Sequence, residues 1–154
     1  MGLLDMSKSY VLFCILHFVQ FVLAIVVIGL YGTDLDRARK AGVYADGKWV
    51  YAIVVASLSA VTAILYLFPF FLRFAAVPVW NVVLFILWIV LFAVFGSLYI
   101  HEDPEGNGDI QRMKNAVWID LINALLWLIG TVAAACYWFR HRQRNSRFTG
   151  RAKL

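Results

Sequence analysis

Charge is what this chain has least of: only 15% of its 154 residues are Asp, Glu, Lys or Arg, while 63% are apolar. Water-soluble domains carry about a quarter charged residues, so this balance excludes an ordinary soluble fold, and the scarcity of polar sequence excludes disorder. Two cysteines cannot supply a disulfide framework. The three prolines fall at edges, Pro69 and Pro78 around one turn and Pro104 in a loop. No stretch alternates apolar and polar residues as the strands of a membrane barrel would.

What the chain does have is four apolar runs, over residues 10–31, 49–70, 77–100 and 116–139. Each reaches the roughly 20 residues that a helix needs to cross the hydrocarbon core. The expected fold is all-α, a four-helix transmembrane bundle forming one domain over residues 1–154. The segments between the runs are too short to hold a soluble domain. The first run is too long for a signal h-region and lacks a small-residue cleavage site, so the first span is expected to stay. Met6 stands where a myristoylation signal needs Ser or Thr, which argues against lipidation there.

Basic residues set the expected orientation. Arg140, Arg142, Arg144, Arg147, Arg151 and Lys153 follow the last span without an acidic neighbour, which places this end in the cytoplasm. With four spans the N-terminus shares that side. Lys8, Arg73 and the tail then outnumber Arg37, Arg39, Lys40, Lys48, Arg112 and Lys114 outside. Arg140, Arg142, Arg144 and Arg147 are candidates for contact with anionic headgroups at on the order of 1 kcal/mol each, with a plain topology signal as the alternative. Nucleic acid is not an expected partner.

In the first outer loop, Thr33, Asp36, Lys40 and Gly42 suggest a cap, an i,i+4 pair and a stop, and so a short helix lying on the membrane. Asp46-Gly47 reads as a turn, with Lys48-Trp49 anchoring the second span. Residues 103–110 place oxygen-bearing side chains as a calcium loop does, but Lys114 stands where the bidentate Glu belongs, so an ordinary polar turn is expected and no metal.

Polar residues within the spans are the functional candidates. His17 and Gln20 lie in the first, Asp120 and Asn123 in the fourth. His17 and Asp120 differ in depth by about 15 Å at helical rise, too far to pair; Ser57, Ser59, Thr62 and Asn123 are the groups between them. Structural bonding across helices is the expected role, with Asp120 reaching the interface or Lys48. A single intramembrane His cannot supply paired haem ligands, and no nucleophile and base share a depth. The expectation is therefore no cofactor and no enzyme.

Ala52, Ala56, Ser59, Ala60 and Ala63 form a small-residue flank on the second span, and Gly130 with Ala134 another on the fourth; such flanks let helices approach closely, within the bundle or with another protein. Cys14 and Cys136 face the reducing side and stay thiols. Cys136, beside the basic tail, is either a palmitoylation site or an apolar filler, and residues 132–140 fit the loose cholesterol pattern. Tyr31, Trp49, Tyr51, Tyr99 and Trp118 collect at one interface and Tyr10, Tyr137 and Trp138 at the other. Trp88 and Trp127 are mid-span, either packing the bundle or lining a slot for a sterol or sphingolipid.

Several stretches resemble the MARVEL-domain family of four-span membrane proteins, particularly its small fungal members. They are Gly29-Leu30-Tyr31-Gly32 with Asp34-Leu35 and Ala38-Arg39, then Tyr44 to Ala52 with Leu58-Ser59, Leu87-Trp88 and Phe95-Gly96 in the third span, and Arg112-Met113-Lys114 with Ala116-Val117-Trp118, Asp120-Leu121 and Asn123. The likeness covers residues 10–139. Trp80-Asn81 departs from it, since close fungal relatives are expected to have an acidic residue after the aromatic.

The resemblance implies a non-enzymatic protein that organises membrane microdomains or takes part in vesicle trafficking, in the plasma membrane or in endosomal or secretory vesicles. Lipids would be its partners, with a second copy or a larger membrane protein. An accessory subunit of a transporter, pump or synthase is the second expectation. A proton-coupled channel or transporter built on His17 and Asp120 is the third.

Overall fold

The computed structural model describes residues 3–44, 46–71 and 74–151, with side chains for 8–44, 46–71, 74–140, 142 and 143. Among the described residues there are four helices: α1 (Leu3–Lys40), α2 (Gly47–Tyr66), α3 (Ala76–Tyr99) and α4 (Gly108–Arg151). All four are long and apolar enough to cross a membrane, and together they form the four-helix bundle that the apolar runs predict.

The helix ends follow local chemistry. α1 runs on beyond the first apolar run as one 38-residue helix, so residues 33–40 are not a separate element. Thr33 does not cap; its hydroxyl donates back to the Gly29 carbonyl at 2.8 Å, as a mid-helix threonine does. Asp36 and Lys40 pair at 2.6 Å and support the extension. The stop comes at Gly42, whose φ of +67° lets Val43 N–H reach the Ala38 carbonyl and Gly42 N–H the Arg39 carbonyl, the two bonds of a Schellman motif.

Asp46 caps α2, accepting from Lys48 N–H at 3.1 Å. This helix ends at Tyr66 rather than Phe70, because Pro69 disfavours helical backbone at Phe68. Pro78 sits in the first turn of α3, where its missing N–H costs nothing. Asn107 caps α4 by accepting from Asp109 N–H at 3.0 Å. Just before it, Asp103 accepts from Glu105 N–H at 3.2 Å, and Glu105 and Gly106 have positive φ. These side-chain oxygens are thus bonded to the turn's own backbone. At its far end α4 does not stop at the membrane edge but continues through Arg151, so the described part of the basic tail is helical.

α1 lies along α2, α3 along α4, and α1 also against α4; of the helix pairs in contact, α2 and α3 touch least. The Tyr10 hydroxyl meets the Leu67 carbonyl (3.4 Å) at one end of the bundle, and Arg37 meets Asp109 (2.7 Å) at the other. The helices therefore alternate in direction, and both ends of the described chain lie at the same end of the bundle.

The core is largely apolar, as in a soluble protein, but the outer surface is apolar too. Leu12, Phe18 and Ile25 on α1, Val61 on α2, Ile86 on α3 and Ile129 on α4 all point outward, while His17, Gln20, Ser59, Asn81, Asp120 and Asn123 are wholly buried. Hydrocarbon surrounding the bundle accounts for both, since lipid solvates apolar side chains and gives polar ones nothing to bond.

Candidate functional site

The candidate site is the set of polar side chains buried within the bundle's largely apolar core. Two glycines set its register. A Cβ at Gly96 would stand 3.8 Å from Val117, and one at Gly130 would stand 3.7 Å from Asn81 Nδ2 and 3.9 Å from Gln20 Nε2. The second contact places the amide nitrogens of both Asn81 and Gln20 beside the Gly130 backbone.

Near one end, the Tyr31 hydroxyl donates to Asp120 Oδ2 at 2.6 Å, both residues being fully buried. Asp120 therefore does not reach the interface or Lys48, and Tyr31 belongs to the interior rather than to an aromatic belt. Tyr31 packs against Phe95 with ring centroids 4.5 Å apart, and Trp49 meets the same Phe95 edge-on at 5.2 Å. The sequence offers no local sign of this pairing, since Tyr31 and Asp120 are far apart in the chain and a tyrosine at a span end ordinarily marks the headgroup level.

Further in, Trp88 Nε1 donates to Ser59 Oγ at 2.7 Å and Trp80 Nε1 to Thr62 Oγ1 at 3.0 Å, while the Tyr51 hydroxyl reaches the Leu87 carbonyl at 3.0 Å. These three bonds cross the α2–α3 seam, the sparsest of the helix contacts. Ser57, expected among the interior groups, is exposed instead. Toward the other end, His17 Nδ1 and Gln20 Oε1 are 2.5 Å apart, and Phe13, Tyr66 and Trp127 surround the imidazole at ring distances of 4.3, 5.0 and 6.2 Å.

His17 and Asp120 thus have different partners at different depths. Several buried polar atoms have no protein partner: His17 Nε2, Gln20 Nε2, Asp120 Oδ1, Trp127 Nε1, and both amide atoms of Asn81 and Asn123. Asn81 was visible in the sequence only as a departure from the family pattern, and its place in this cluster comes from Gly130 on another helix.

The small residues lie inside. Ala52, Ala56, Ser59, Ala60 and Ala63 are buried on α2, as are Gly130 and Ala134 on α4. Cys14 is partly buried and Cys136 exposed, neither in a disulfide. Arg140 is exposed, and Arg142 stands over the Trp138 ring at 5.4 Å. The side chains of Arg144 and Arg147 lie outside the described residues, as do Arg73 and Lys153 entirely.

At the opposite end, charged side chains tie α1 to α4. Arg112 bonds both Asp34 and Asp109, the latter at 2.8 Å, and Arg37 bonds Asp109 at 2.7 Å. Arg37 first, then Arg112, hold the Asp109 carboxyl below the usual carboxylate range. An open depression of about 190 Å³ lies beside this cluster, lined by Asp34, Leu35, Ala38, Tyr44, Asp46 and Trp49. Among the described residues no three His, Cys, Asp or Glu side chains gather as a metal site would need.

No family model, curated protein or solved structure matches the chain.

Proposed function

We propose that this protein is a non-enzymatic integral membrane organiser, acting laterally on lipids and neighbouring proteins at microdomains or on trafficking vesicles. The observation that carries this reading is the division of the bundle's surface. Its flanks are continuous apolar side chains from all four helices, and its described charges gather at the two ends. The described chain presents lipid-facing walls and charged ends. The basic continuation of α4 then faces the cytoplasm, where Arg140 and Arg142 meet anionic headgroups. The resemblance to the MARVEL-domain family supports the same reading.

The small-residue flanks no longer argue for an accessory subunit, because the bundle's own helices occupy them; docking on a larger protein would have to use the apolar walls. A fluorescent fusion of the full chain, followed by purification in mild detergent with its retained lipids, tests the proposal. Patches or vesicles, together with co-purifying anionic lipid, are the expected result. Uniform distribution with no retained lipid would overturn it, and a stoichiometric large partner would favour the subunit reading.

A further inference from the structure

The open depression at the end of the bundle away from the basic tail combines two kinds of wall. Asp34, Leu35 and Ala38 reach it from the extension of α1, and Tyr44, Asp46 and Trp49 from the segment that leads into α2. The lining is mostly apolar and includes two carboxylates and two aromatic rings, but no basic side chain. The nearby cations are engaged with carboxylates: Arg37 and Arg112 with Asp109, and Lys40 with Asp36. Arg112 and Arg37 approach Asp34 at Oδ1, and Asp46 Oδ1 accepts from Lys48 N–H. Each carboxylate therefore keeps its Oδ2 free of protein cations, and Asp46 enters no ion pair among the described residues.

Depth and lining together select the guest. The first apolar run ends at Tyr31 and the second begins at Trp49. Asp34 lies three residues past Tyr31, about 5 Å at helical rise, and headgroups occupy roughly 5–7 Å on each side of the hydrocarbon. The depression thus opens at headgroup level. Its volume of about 190 Å³ exceeds the roughly 150 Å³ in which a benzene-sized guest fits, room enough for a trimethylammonium group. Such a group has no N–H to satisfy, so its methyls can lie against Leu35 and Ala38 while its charge is drawn to the aromatic faces and the carboxylates. A primary ammonium would instead press hydrogen-bond donors against apolar wall. Lys48, between Asp46 and Trp49 in the chain, is exposed and has no carboxylate partner among the described residues; it is a cation available to a phosphate.

We propose that this depression binds the headgroup of a choline phospholipid, with the quaternary ammonium against Trp49 and Tyr44, between Asp34 and Asp46, and the phosphate at Lys48. The site deepens the membrane-organiser reading and rests on its placing the bundle in a bilayer. It adds a zwitterionic lipid at one end of a molecule whose arginines meet anionic headgroups at the other.

The full chain in a maltoside detergent is mixed with equal amounts of phosphatidylcholine and phosphatidylethanolamine of the same acyl chains, and the retained lipid is counted by native mass spectrometry. The wild-type protein should retain phosphatidylcholine several-fold over phosphatidylethanolamine. Asp46→Ser removes the charge but keeps a capping side chain for α2, and Tyr44→Ser alters a side chain that is 93% exposed, so neither disturbs the core. Each should reduce the preference, and the double variant should abolish it with an unchanged thermal midpoint. Glycerophosphocholine, the headgroup without acyl chains, should displace the lipid only in large excess; displacement at equal concentration would overturn the lipid assignment in favour of a soluble guest. Equal retention of the two lipids by the wild-type protein would overturn the site, as would a preference that survives in the double variant. Anionic lipid is absent throughout, so failure here leaves the contacts of the basic tail standing, and loss of cellular patches would leave this site standing.

Discussion

Tyr31 shows how much depends on a single hydroxyl inside a membrane. It supplies the hydrogen bond that Asp120 Oδ2 receives from protein, while Oδ1 receives none. Tyr31→Phe keeps the ring against Phe95 and removes only the donor, leaving the carboxyl with no protein donor at all. The cost expected for stranding a buried polar group is about 1–3 kcal/mol, and membrane hydrogen bonds measured in pairs average nearer 0.6 kcal/mol because the unfolded state also finds partners. We expect the larger range here, because the stranded group is a carboxyl. Thermal unfolding in detergent should therefore show Tyr31→Phe destabilised, and Asp120→Asn combined with Tyr31→Phe should lose less than the two single effects added. Strict additivity would show that the pair is not coupled. Composition and spacing identified His17, Gln20, Asp120 and Asn123 as polar groups within spans, because a polar letter in an apolar run is visible by itself. They could not identify Tyr31 or Asn81 as members of the same interior, since that depends on which face of a distant helix comes alongside.

The helices differ in how they are joined. α1 and α2 lie close along the alanine flank, whereas α2 and α3, in sparser contact, are linked by the indoles of Trp80 and Trp88 and the Tyr51 hydroxyl. Ala56 is completely buried on the close side. Ala56→Leu should force these helices apart at a cost of about 1–3 kcal/mol or more, whereas Val61→Leu, on the exposed face of the same helix, should change little. Both are read as thermal midpoints in the same detergent, and equal midpoints would mean that the flank is not a packing surface. The extension of α1 beyond the bilayer is held differently, by Arg37 and Arg112 on Asp109 and by Arg112 on Asp34. The Asp109 carboxyl is held below its unfolded-state value, so the stability it contributes is present above that value and lost as pH falls through the folded one. Midpoints measured downward from neutral pH should begin to fall near the ordinary Asp value of about 4, and Asp109→Asn should fall less. A parallel decline in both would assign the acid sensitivity elsewhere. The sequence suggested a helix over residues 33–42 and its Asp36–Lys40 pair, but not its fusion with the span, because a cap signal at Thr33 and an ordinary mid-helix threonine look alike until the hydroxyl's partner is known.

Taken as one body, the bundle is apolar on its outer walls and holds a few polar side chains within an otherwise apolar core, and its membrane-spanning character was the most legible property of all. Four apolar runs of membrane-spanning length leave few other folds, and an even number of antiparallel helices brings both ends of the described chain to one end of the bundle. Which leaflet that end meets is a question of charge. Arg140 and Arg142 extend directly from the last span on a helix that continues outward, while much of the opposite end's positive charge is already neutralised by Asp34, Asp36 and Asp109. Acidic residues weigh little in the orientation rule, yet the rule counts basic residues near span ends, and the six cations following the fourth span form the densest group in the chain. Epitope tags at the N-terminus and the C-terminus should therefore both be accessible after selective permeabilisation of the plasma membrane, and a glycosylation acceptor placed in the loop at Gly106 should be modified. Accessibility of the two tags from opposite faces would contradict the four-span arrangement itself. Glycosylation of tails with an unmodified Gly106 loop would keep the bundle and reverse it in the membrane, turning the arginines outward and removing the electrostatic basis for their contact with cytoplasmic anionic lipid.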